Sequence, residues 1–215
     1  DVDGDRAVIS ILTQEYDGAF VIVNDSVFQV ADSSLIDHEV DNLHWVEVQL
    51  SDGLNVSTDT LWVKVLNVND NAPKIANTEF TMAEGEPNGY DVGNLNATDA
   101  DGGILIYSIV NQEYSGAFSL DSNGLIEVAD STLIDYEVDS THVVLVKVHD
   151  GIDSVESSVL ILITNMNDNQ PDVRDTTFVL SEDAVNGDLV GVLNVVDADL
   201  DTLEYSIVSQ DPTGA

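Results

Sequence analysis

The sequence predicts an all-β protein built from small antiparallel sandwiches in series, and three observations support this prediction. The chain of 215 residues matches itself without gaps at an offset of 98 residues, with 31 identities between residues 1–73 and 99–171. Runs rich in β-branched residues alternate with turn signals, and no convincing stretch has the 3.6-residue period of an amphipathic helix. A repeat of this length is too long for a solenoid and fits independent domains in series.

The complete repeat contains several predicted strands. Residues 104–110 and 125–129 are rich in β-branched and apolar residues, and the turn signal at 121–124 predicts a hairpin before the second of them. Residues 143–148 and 155–163 are longer apolar runs with polar interruptions. About seven strands per repeat, joined by turns, indicate an immunoglobulin-like Greek-key sandwich.

The repeat divides the chain into three predicted domains. Residues 1–71 are the C-terminal part of one repeat, residues 72–169 are a complete repeat, and residues 170–215 are the N-terminal part of the next. The first part lacks the opening strands of a sandwich and the last part holds them. Since unpaired strand edges favour association, we expect the two ends to complement each other between molecules, head to tail.

Charge and composition exclude several classes of function. The chain has 41 acidic and 5 basic side chains, a formal net charge of -36, which disfavours binding to nucleic acids and to anionic membrane surfaces. No apolar run has the length of a membrane-spanning helix, so no membrane insertion is expected in this segment. Cysteine is absent, which excludes disulfides, thiol catalysis and cysteine-ligated zinc.

Three acidic patterns keep their spacing from one repeat to the next. They are Asp-x-Asp at Asp1/Asp3, Asp99/Asp101 and Asp197/Asp199; Asp-x-Glu at Asp37/Glu39 and Asp135/Glu137; and Asn-Asp-Asn at residues 69–71 and 167–169. A solvated acidic surface is the alternative interpretation, but it needs acidic density and not fixed positions. Carboxylates, amides and carbonyls together suit a hard cation, and Ca²⁺ best because it accepts many oxygens in irregular geometry.

No pattern predicts an enzyme. The sequence shows no Ser-His-Asp set, no glycine-rich phosphate loop and no histidine-rich metal motif. Paired carboxylates also serve glycosidases, but a catalytic pair is rarely duplicated at a fixed interval. The four histidines are interpreted as surface or strand residues; His44 and His142 correspond, and the spacing of their carboxylate neighbours is not typical of a zinc site. Trp45 and Trp62 are interpreted as packing residues of strands.

The recurring motifs together resemble the cadherin repeat. The segments that carry the resemblance are Val-Asn-Asp-Asn-Ala-Pro at 68–73, Ala-Glu-Gly at 83–85, Ala-Thr-Asp-Ala-Asp at 97–101, Leu-Ile-Asp-Tyr-Glu at 133–137, and Asp-Gly at 150–151. They stand in the family's order and cover essentially the whole chain. The resemblance implies sandwiches of cadherin type, with up to three Ca²⁺ ions at each junction between consecutive domains.

The resemblance also implies two ligand sets. The first set is Asp37, Glu39, the Val68 carbonyl, Asn69, Asp70, the Asn71 carbonyl, Asp99, Asp101 and Asp150. The second set is Glu84, Asp135, Glu137, the Met166 carbonyl, Asn167, Asp168, the Asn169 carbonyl, Asp197 and Asp199. Asp1, Asp3 and Asp52, the counterparts of Asp99, Asp101 and Asp150, are expected ligands as well. We expect each set to be incomplete, because the first lacks a counterpart of Glu84 and the second a counterpart of Asp150.

The implied function is structural and adhesive. The resemblance predicts a calcium-rigidified rod segment of a large extracellular or cell-surface protein that mediates cell adhesion. The absence of cysteine, the scarcity of lysine and the near-identical spacing of the repeats favour a bacterial surface adhesin, with an animal cadherin fragment as the alternative. The expected partners are calcium, other repeats of the same protein, and a cell-surface or glycan partner. The alternative function is a calcium-dependent carbohydrate- or protein-binding module.

Overall fold

The computed structural model describes residues 7–174 and 176–211, and it confirms the all-β prediction. Among these residues, the only helical segments are two single turns of 3₁₀ helix, Ser33–Leu35 and Ser131–Leu133. The described residues fall into two compact units. Unit 1 comprises those within Asp1–Lys74, Thr98–Leu105 and His149–Ser154, and unit 2 comprises those within Ile75–Ala97, Ile106–Val148 and Val155–Ala215.

Unit 1 contains a three-stranded sheet and a hairpin. Its strands are β1 (Val8–Gln14), β2 (Phe20–Val23), β3 (Val27–Val30), β4 (Leu43–Ser51) and β5 (Val56–Lys64). The sheet has the order β1-β4-β5 with antiparallel pairing, and β2 pairs with β3. Alternate residues of β4 point inward, so that His44 and Val46 are buried. Val46 packs with Ala19 and Phe20 in the core of this unit.

Unit 2 contains three sheets. Its strands are β6 (Glu79–Ala83), β7 (Asp91–Asn94), β8 (Ile106–Gln112), β9 (Phe118–Leu120), β10 (Leu125–Val128), β11 (Thr141–His149), β12 (Ser154–Thr164), β13 (Asp172–Val173) and β14 (Val195–Val196), although the end residues His149 and Ser154 belong to unit 1. The sheet orders are β6-β12-β11-β8, β7-β10-β9 and β13-β14. Strand β12 pairs with β6 in parallel, and its inward residues Val159, Ile161 and Ile163 are buried.

The predicted hairpin is present at β9 and β10. The two strands pair antiparallel, and the Asp121 carboxylate accepts hydrogen bonds from the backbone N–H groups of Asn123 and Leu125. Gly124 takes a φ of 81° in this turn, which is the left-handed region that favours glycine. The turn signal in the sequence therefore corresponds to a turn closed by the side chain of its first residue.

Two details differ from the sequence prediction or refine it. Strand β8 begins at Ile106 and not at residue 104, because Gly102 and Gly103 have φ angles of 74° and 109° and keep the chain out of extended geometry. Trp45 and Trp62 face each other across the β4–β5 ladder, and Trp62 is 63% exposed. The two tryptophans therefore lie opposite each other on neighbouring strands, and Trp62 faces solvent.

Candidate metal centres

The carboxylates of unit 1 converge from loops that are distant in sequence. Asp37 and Glu39 follow the 3₁₀ turn Ser33–Leu35, and Asp101 lies in the loop before β8. Carboxylate oxygens of Glu39, Asp70 and Asp101 all lie within 4.8 Å of one another. A cavity of about 410 Å³ is lined by Asp37, Glu39, Asp70 and Asn71 and gives a cation room beside these oxygens.

Asp101 is fixed in place by the Asn-Asp-Asn segment. Its Oδ2 accepts hydrogen bonds from the backbone N–H groups of Asp70 and Asn71, at 3.0 and 2.7 Å. Its Oδ1 accepts one from the Asn71 side chain at 2.9 Å. Burial acts to raise the pKa of Asp101, but these hydrogen bonds outweigh it and lower the pKa. Asp101 is therefore held as an oriented carboxylate.

Asp99 and Asp150 each use one oxygen within their own loop. Asp99 Oδ1 accepts from the Asp101 backbone N–H at 2.9 Å. Asp150 Oδ1 accepts from the backbone N–H groups of Ile152 and Asp153, at 2.7 and 2.8 Å. The bond from Ile152 is the largest cause of the lowered pKa of Asp150. In both residues Oδ2 is buried and lacks a hydrogen-bond partner among the described residues.

Unit 2 contains a second group of carboxylates. Oxygens of Glu84, Glu137, Asp168 and Asp199 lie within 4.8 Å of one another. Glu84 is 2% exposed, and its two oxygens accept hydrogen bonds from the backbone N–H groups of Met166 and Tyr136, both at 2.7 Å. Burial, followed by the charges of neighbouring carboxylates, raises the pKa values of Glu137 and Asp168. The group is thus electrostatically strained without a cation.

The second Asn-Asp-Asn segment repeats the first arrangement. Asn169 donates its backbone N–H to Asp199 Oδ2 at 2.8 Å and its side-chain amide to Asp199 Oδ1 at 3.1 Å. Asn165 donates to the Asp199 carbonyl at 2.9 Å, as Asn67 does to the Asp101 carbonyl at 2.7 Å. The pKa of Asp199 is lowered because hydrogen bonds outweigh its burial. Equivalent residues of the two repeats therefore orient the equivalent carboxylate in each unit.

The buried polar atoms that lack a hydrogen-bond partner test whether these residues fit a metal ion. Nine such side-chain atoms occur among the described residues. Five of them are oxygens of predicted ligands: Asn69 Oδ1, Asp99 Oδ2, Glu137 Oε1, Asp150 Oδ2 and Asp197 Oδ1. A buried acceptor without a donor is unfavourable, and a hard cation is the partner that a set of oxygens of this kind can bind. The residues therefore fit Ca²⁺.

The remaining predicted ligands are placed as follows. Asp135 uses Oδ1 to accept from the Val138 backbone N–H at 3.1 Å, and Asn167 lines a cavity of about 300 Å³ with Asn169 and Asp197. Asp52 closes its own turn by accepting from Leu54 and Asn55, and within the described part of the chain it joins none of the close carboxylate groups. Asp1 and Asp3 lie outside the described residues.

One residue of the second set was missed by the sequence analysis. The Asp201 carboxylate lies within 4.8 Å of those of Asp197 and Asp199. Its counterpart in the preceding repeat is Gly103, so the comparison of repeats concealed it. The signal that could have identified it is the alternation of aspartates at 197, 199 and 201, which places three oxygens in one loop.

Comparisons with known proteins agree with this geometry. Residues 78–165 match the family model of the cadherin domain. Human protocadherin gamma-A5 is 34% identical over 177 residues, which cover 76% of this chain and 19% of that protein. Cadherin-related family member 1 of Gallus gallus is 26% identical over 184 residues, covering 82% of this chain and 21% of that protein. The chain thus spans about a fifth of the length of these relatives.

Solved structures share the fold. The structure of a protocadherin gamma-B7 cis-dimer, containing the domains EC3-6, superposes with a TM-score of 0.74 at 23% identity, covering 90% of this chain and 51% of that one. The protocadherin gamma-B4 extracellular domain superposes with a TM-score of 0.71 at 20% identity, covering 89% of this chain and 34% of that one. These likenesses confirm the cadherin-type sandwich.

The chain therefore carries a cadherin domain, as the motifs predicted. Its sequence is similar to that of animal protocadherins, and its localisation is extracellular or at the cell surface. The prediction of a bacterial surface adhesin is wrong, because the matches are to animal cadherin-superfamily proteins. Composition was misleading here, since acidity and the absence of cysteine are compatible with either source. Within the described residues, no helix has the length and hydropathy required to cross a membrane.

Proposed function

We propose that this segment is a calcium-binding structural module of an extracellular adhesion protein. The observation that carries the proposal is the set of five buried side-chain oxygens without a hydrogen-bond donor, all of which belong to predicted calcium ligands. Buried polar atoms in folded proteins nearly always have a partner. Every unpartnered buried side-chain oxygen found among the described residues lies in the two ligand sets, which supports cations as the missing partners.

Charge supports the same conclusion. The predicted set in unit 1 contains six carboxylates: Asp37, Glu39, Asp70, Asp99, Asp101 and Asp150. Like charges at separations of a few ångströms in a partly desolvated site repel strongly. Three Ca²⁺ ions, the number that the family resemblance implies, neutralise six carboxylates. In unit 2 burial, and after it the charges of neighbouring carboxylates, raises the pKa values of Glu137 and Asp168, and the charge contribution is the same repulsion.

The sequence positions of the ligands explain how binding stiffens the chain. The predicted set of unit 1 spans residues 37–39, 69–71, 99–101 and 150, and so includes residues from both sides of the predicted repeat boundary after residue 71. A cation that binds these loops together restricts the 69–71 linker. Ligand binding to the folded state alone also stabilises that state by linkage. We infer that calcium converts the linker from a flexible to a rigid connection.

Thermal melting in EDTA, in Mg²⁺ and in Ca²⁺, all at one high ionic strength, tests the proposal. Fixed salt removes general screening of the -36 charge as an explanation. We expect a large rise in melting temperature with Ca²⁺ and a small rise with Mg²⁺. Asp101→Asn should remove most of the Ca²⁺-dependent rise in the melting temperature of unit 1. The control is Asp17→Asn, which removes an equal charge at an exposed position outside the predicted sets. Equal melting in all three solutions would falsify the proposal.

We further propose that the protein's partners are other cadherin repeats. A solved structure with the same fold is described as a cis-dimer of protocadherin gamma-B7. In this chain, β5 pairs with β4, and it leaves the large side chains of Val56, Leu61 and Trp62 exposed. Exposed apolar residues on a strand favour association with another chain.

A further inference from the structure

The calcium ligands account for five of the nine unpartnered buried atoms found among the described residues. The other four are the two ring nitrogens of His44 and the two of His142. His44 is 1% exposed and His142 is 2% exposed. Neither histidine belongs to the predicted calcium sets, and imidazole is not a ligand that Ca²⁺ prefers. Both therefore require a different explanation.

The surroundings of His44 bring two carboxylates to a buried imidazole. A ring nitrogen of His44 and one carboxylate oxygen each from Glu15 and Asp41 lie within 4.8 Å of one another. Strand β4 carries His44 inward, and the Glu15 backbone N–H donates to the Trp45 carbonyl at 3.1 Å, which holds the residue after β1 beside β4. Asp41 precedes β4 and accepts from the Leu43 backbone N–H through Oδ1 at 3.1 Å.

Aromatic rings form the other side of this site. The rings of Tyr16 and Phe20 approach His44 edge-on, with centroids at 5.2 and 5.9 Å. These rings fix the plane of the imidazole and exclude solvent from it. Trp45 donates its backbone N–H to Glu15 Oε2 at 3.3 Å, which positions the Glu15 carboxylate. The three polar groups are thus held by strand pairing, a turn and ring packing.

We propose that Glu15, Asp41 and His44 form a binding site for a divalent transition-metal cation such as Zn²⁺, separate from the calcium sets. One imidazole and two carboxylates are a ligand set that Zn²⁺ accepts, and they leave one tetrahedral position for water. A neutral imidazole and two carboxylates balance the charge of the ion. Metal–ligand distances of about 2.0–2.2 Å require the three groups to approach each other, which the exposed Glu15 side chain allows.

The second repeat provides an internal comparison. Glu113, Asp139 and His142 correspond to the three residues, but their ligand atoms do not all come within 4.8 Å. Asp139 Oδ1 accepts from both the backbone N–H and the hydroxyl of Thr141, at 3.0 and 3.3 Å, and the Asp139 side chain also hydrogen bonds with Tyr114. The counterpart of Thr141 is Leu43, which has no hydroxyl. We therefore expect the unit 1 site to bind the metal more tightly.

The pKa of His142 does not account for the weaker binding expected in unit 2. Burial lowers the pKa of His142, and the charges of Asp139 and Glu113 oppose the shift. The imidazole is therefore kept neutral, which is the form that ligates metals. A cavity of about 160 Å³, lined by residues that include Asp139 and Tyr114, lies beside His142. The difference between the two units therefore lies in the placement of the carboxylates and not in the imidazole.

The experiment is a calorimetric titration of the whole chain with Zn²⁺ in saturating Ca²⁺, which occupies the oxygen-only sites. Co²⁺ replaces Zn²⁺ in a parallel titration, because its visible spectrum reports coordination. We expect one tight equivalent, with affinity lowered at least tenfold by His44→Gln and by Glu15→Gln. His142→Gln should leave the tight equivalent unchanged. The matched control is Glu47→Gln, which removes a charge from the outward face of the same strand.

Two results would overturn the proposal. One is Zn²⁺ binding of equal affinity and stoichiometry in wild type, His44→Gln and Glu15→Gln, which would indicate adventitious binding to surface carboxylates. The other is the absence of a tight equivalent in the unmodified chain; His44 ring-nitrogen NMR signals of an imidazolium would then identify an ion pair with the two carboxylates. If His44→Gln does not fold, the surface variant Glu15→Gln and the ring-nitrogen shifts of the unmodified chain on Zn²⁺ addition decide the question.

Discussion

Glu84 shows how one side chain can have both a structural role and a proposed role in metal binding. Its two oxygens accept backbone N–H groups of Met166 and Tyr136, which lie 82 and 52 residues away in sequence. It is also one of four carboxylates that lie within 4.8 Å of one another. The side chain therefore ties three segments of unit 2 together before any cation binds.

We expect Glu84→Ala to destabilise unit 2 even in EDTA. The substitution leaves two backbone amides without an acceptor, and each buried donor without a partner destabilises the fold by about 1–3 kcal/mol. Chemical denaturation in EDTA measures the loss, and Glu84→Gln, which keeps one carbonyl acceptor, should lose less. Glu86→Ala, two residues further on, serves as the control. An unchanged unfolding midpoint for Glu84→Ala would show that water replaces the carboxylate at both amides.

At the scale of single residues, the sequence predicted which residues belong to a site better than it predicted which residues lie beside them. Spacing between repeats selected Asp99, Glu137 and Asp150, which the structure shows as carboxylates with buried, unpartnered oxygens. It could not place Glu15 beside His44, because that contact depends on the pairing of β1 with β4. Asp201 was missed since its counterpart in the complete repeat is Gly103. Local spacing therefore reveals sites within loops, whereas sites assembled by strand pairing require the register.

The hairpin of β9 and β10 depends on one glycine. Gly124 has a φ of 81°, and a Cβ atom there would lie 2.8 Å from the Tyr107 ring. Left-handed geometry is unfavourable by about 1–2 kcal/mol for a residue with a side chain. The Tyr107 ring adds a steric penalty, because Tyr107 is held in place as a residue of strand β8.

We therefore expect Gly124→Ala to lower the stability of unit 2 by about 1–3 kcal/mol. The melting temperature in saturating Ca²⁺ measures the effect. Gly116→Ala is the control for backbone strain alone, because Gly116 also has a positive φ but a Cβ atom there would have no neighbour within 4 Å. Equal losses in the two variants would mean that the Tyr107 ring moves aside without penalty.

Element boundaries were predictable where side chains defined a turn. Asp121 and Gly124 indicate the hairpin in the sequence, and its strands follow directly. The start of β8 was predicted two residues early, because Ile104 and Leu105 are apolar although the two preceding glycines keep this segment out of the strand. Ile104 is 83% exposed. Hydropathy therefore predicts the central residues of a strand but not the backbone geometry that determines where the strand begins.

Across the whole molecule, the net charge of -36 makes calcium and pH interdependent. The raised pKa values of Glu137 and Asp168 mean that the folded, calcium-free chain favours their protonated forms. Their contribution to stability is present below their ordinary values of 4.5 and 3.8, and it is lost as the pH rises through the raised values. The lowered pKa values of Asp101 and Asp199 contribute stability that is fully present above 3.8 and is lost as the pH falls below it.

We expect the difference in melting temperature between Ca²⁺ and EDTA to grow as the pH rises above 4.5. The two carboxyl groups lose their protons as the pH rises through their raised pKa values, and the cation then relieves the repulsion. The backbone amide signals of Tyr136 and Met166 report unit 2, since both amides bond to Glu84. A calcium effect that is constant over this pH range would contradict the assignment of these carboxylates to the cation site.

The exposed strand β5 leads to a prediction about association. We expect the chain to self-associate in a concentration-dependent manner in Ca²⁺, through β5 and the segment 177–181, the counterpart of β6. Sedimentation velocity measures the association, and Val56→Lys with Trp62→Lys should weaken it. Lysine at a strand edge disfavours pairing with a second chain. The prediction fails if the unmodified chain remains monomeric at millimolar concentration.

The composition of unit 1 has a consequence for biosynthesis. This unit includes Thr98–Leu105 and His149–Ser154, which the ribosome makes long after Asp37 and Asn69. The first repeat therefore leaves the exit tunnel with Asp37, Glu39 and Asp70 facing solvent and with Asp101 and Asp150 still to be translated. Its ligand set is completed only after most of the following repeat has been made. On the proposed function, cation capture by this set therefore waits until residue 150 has been made.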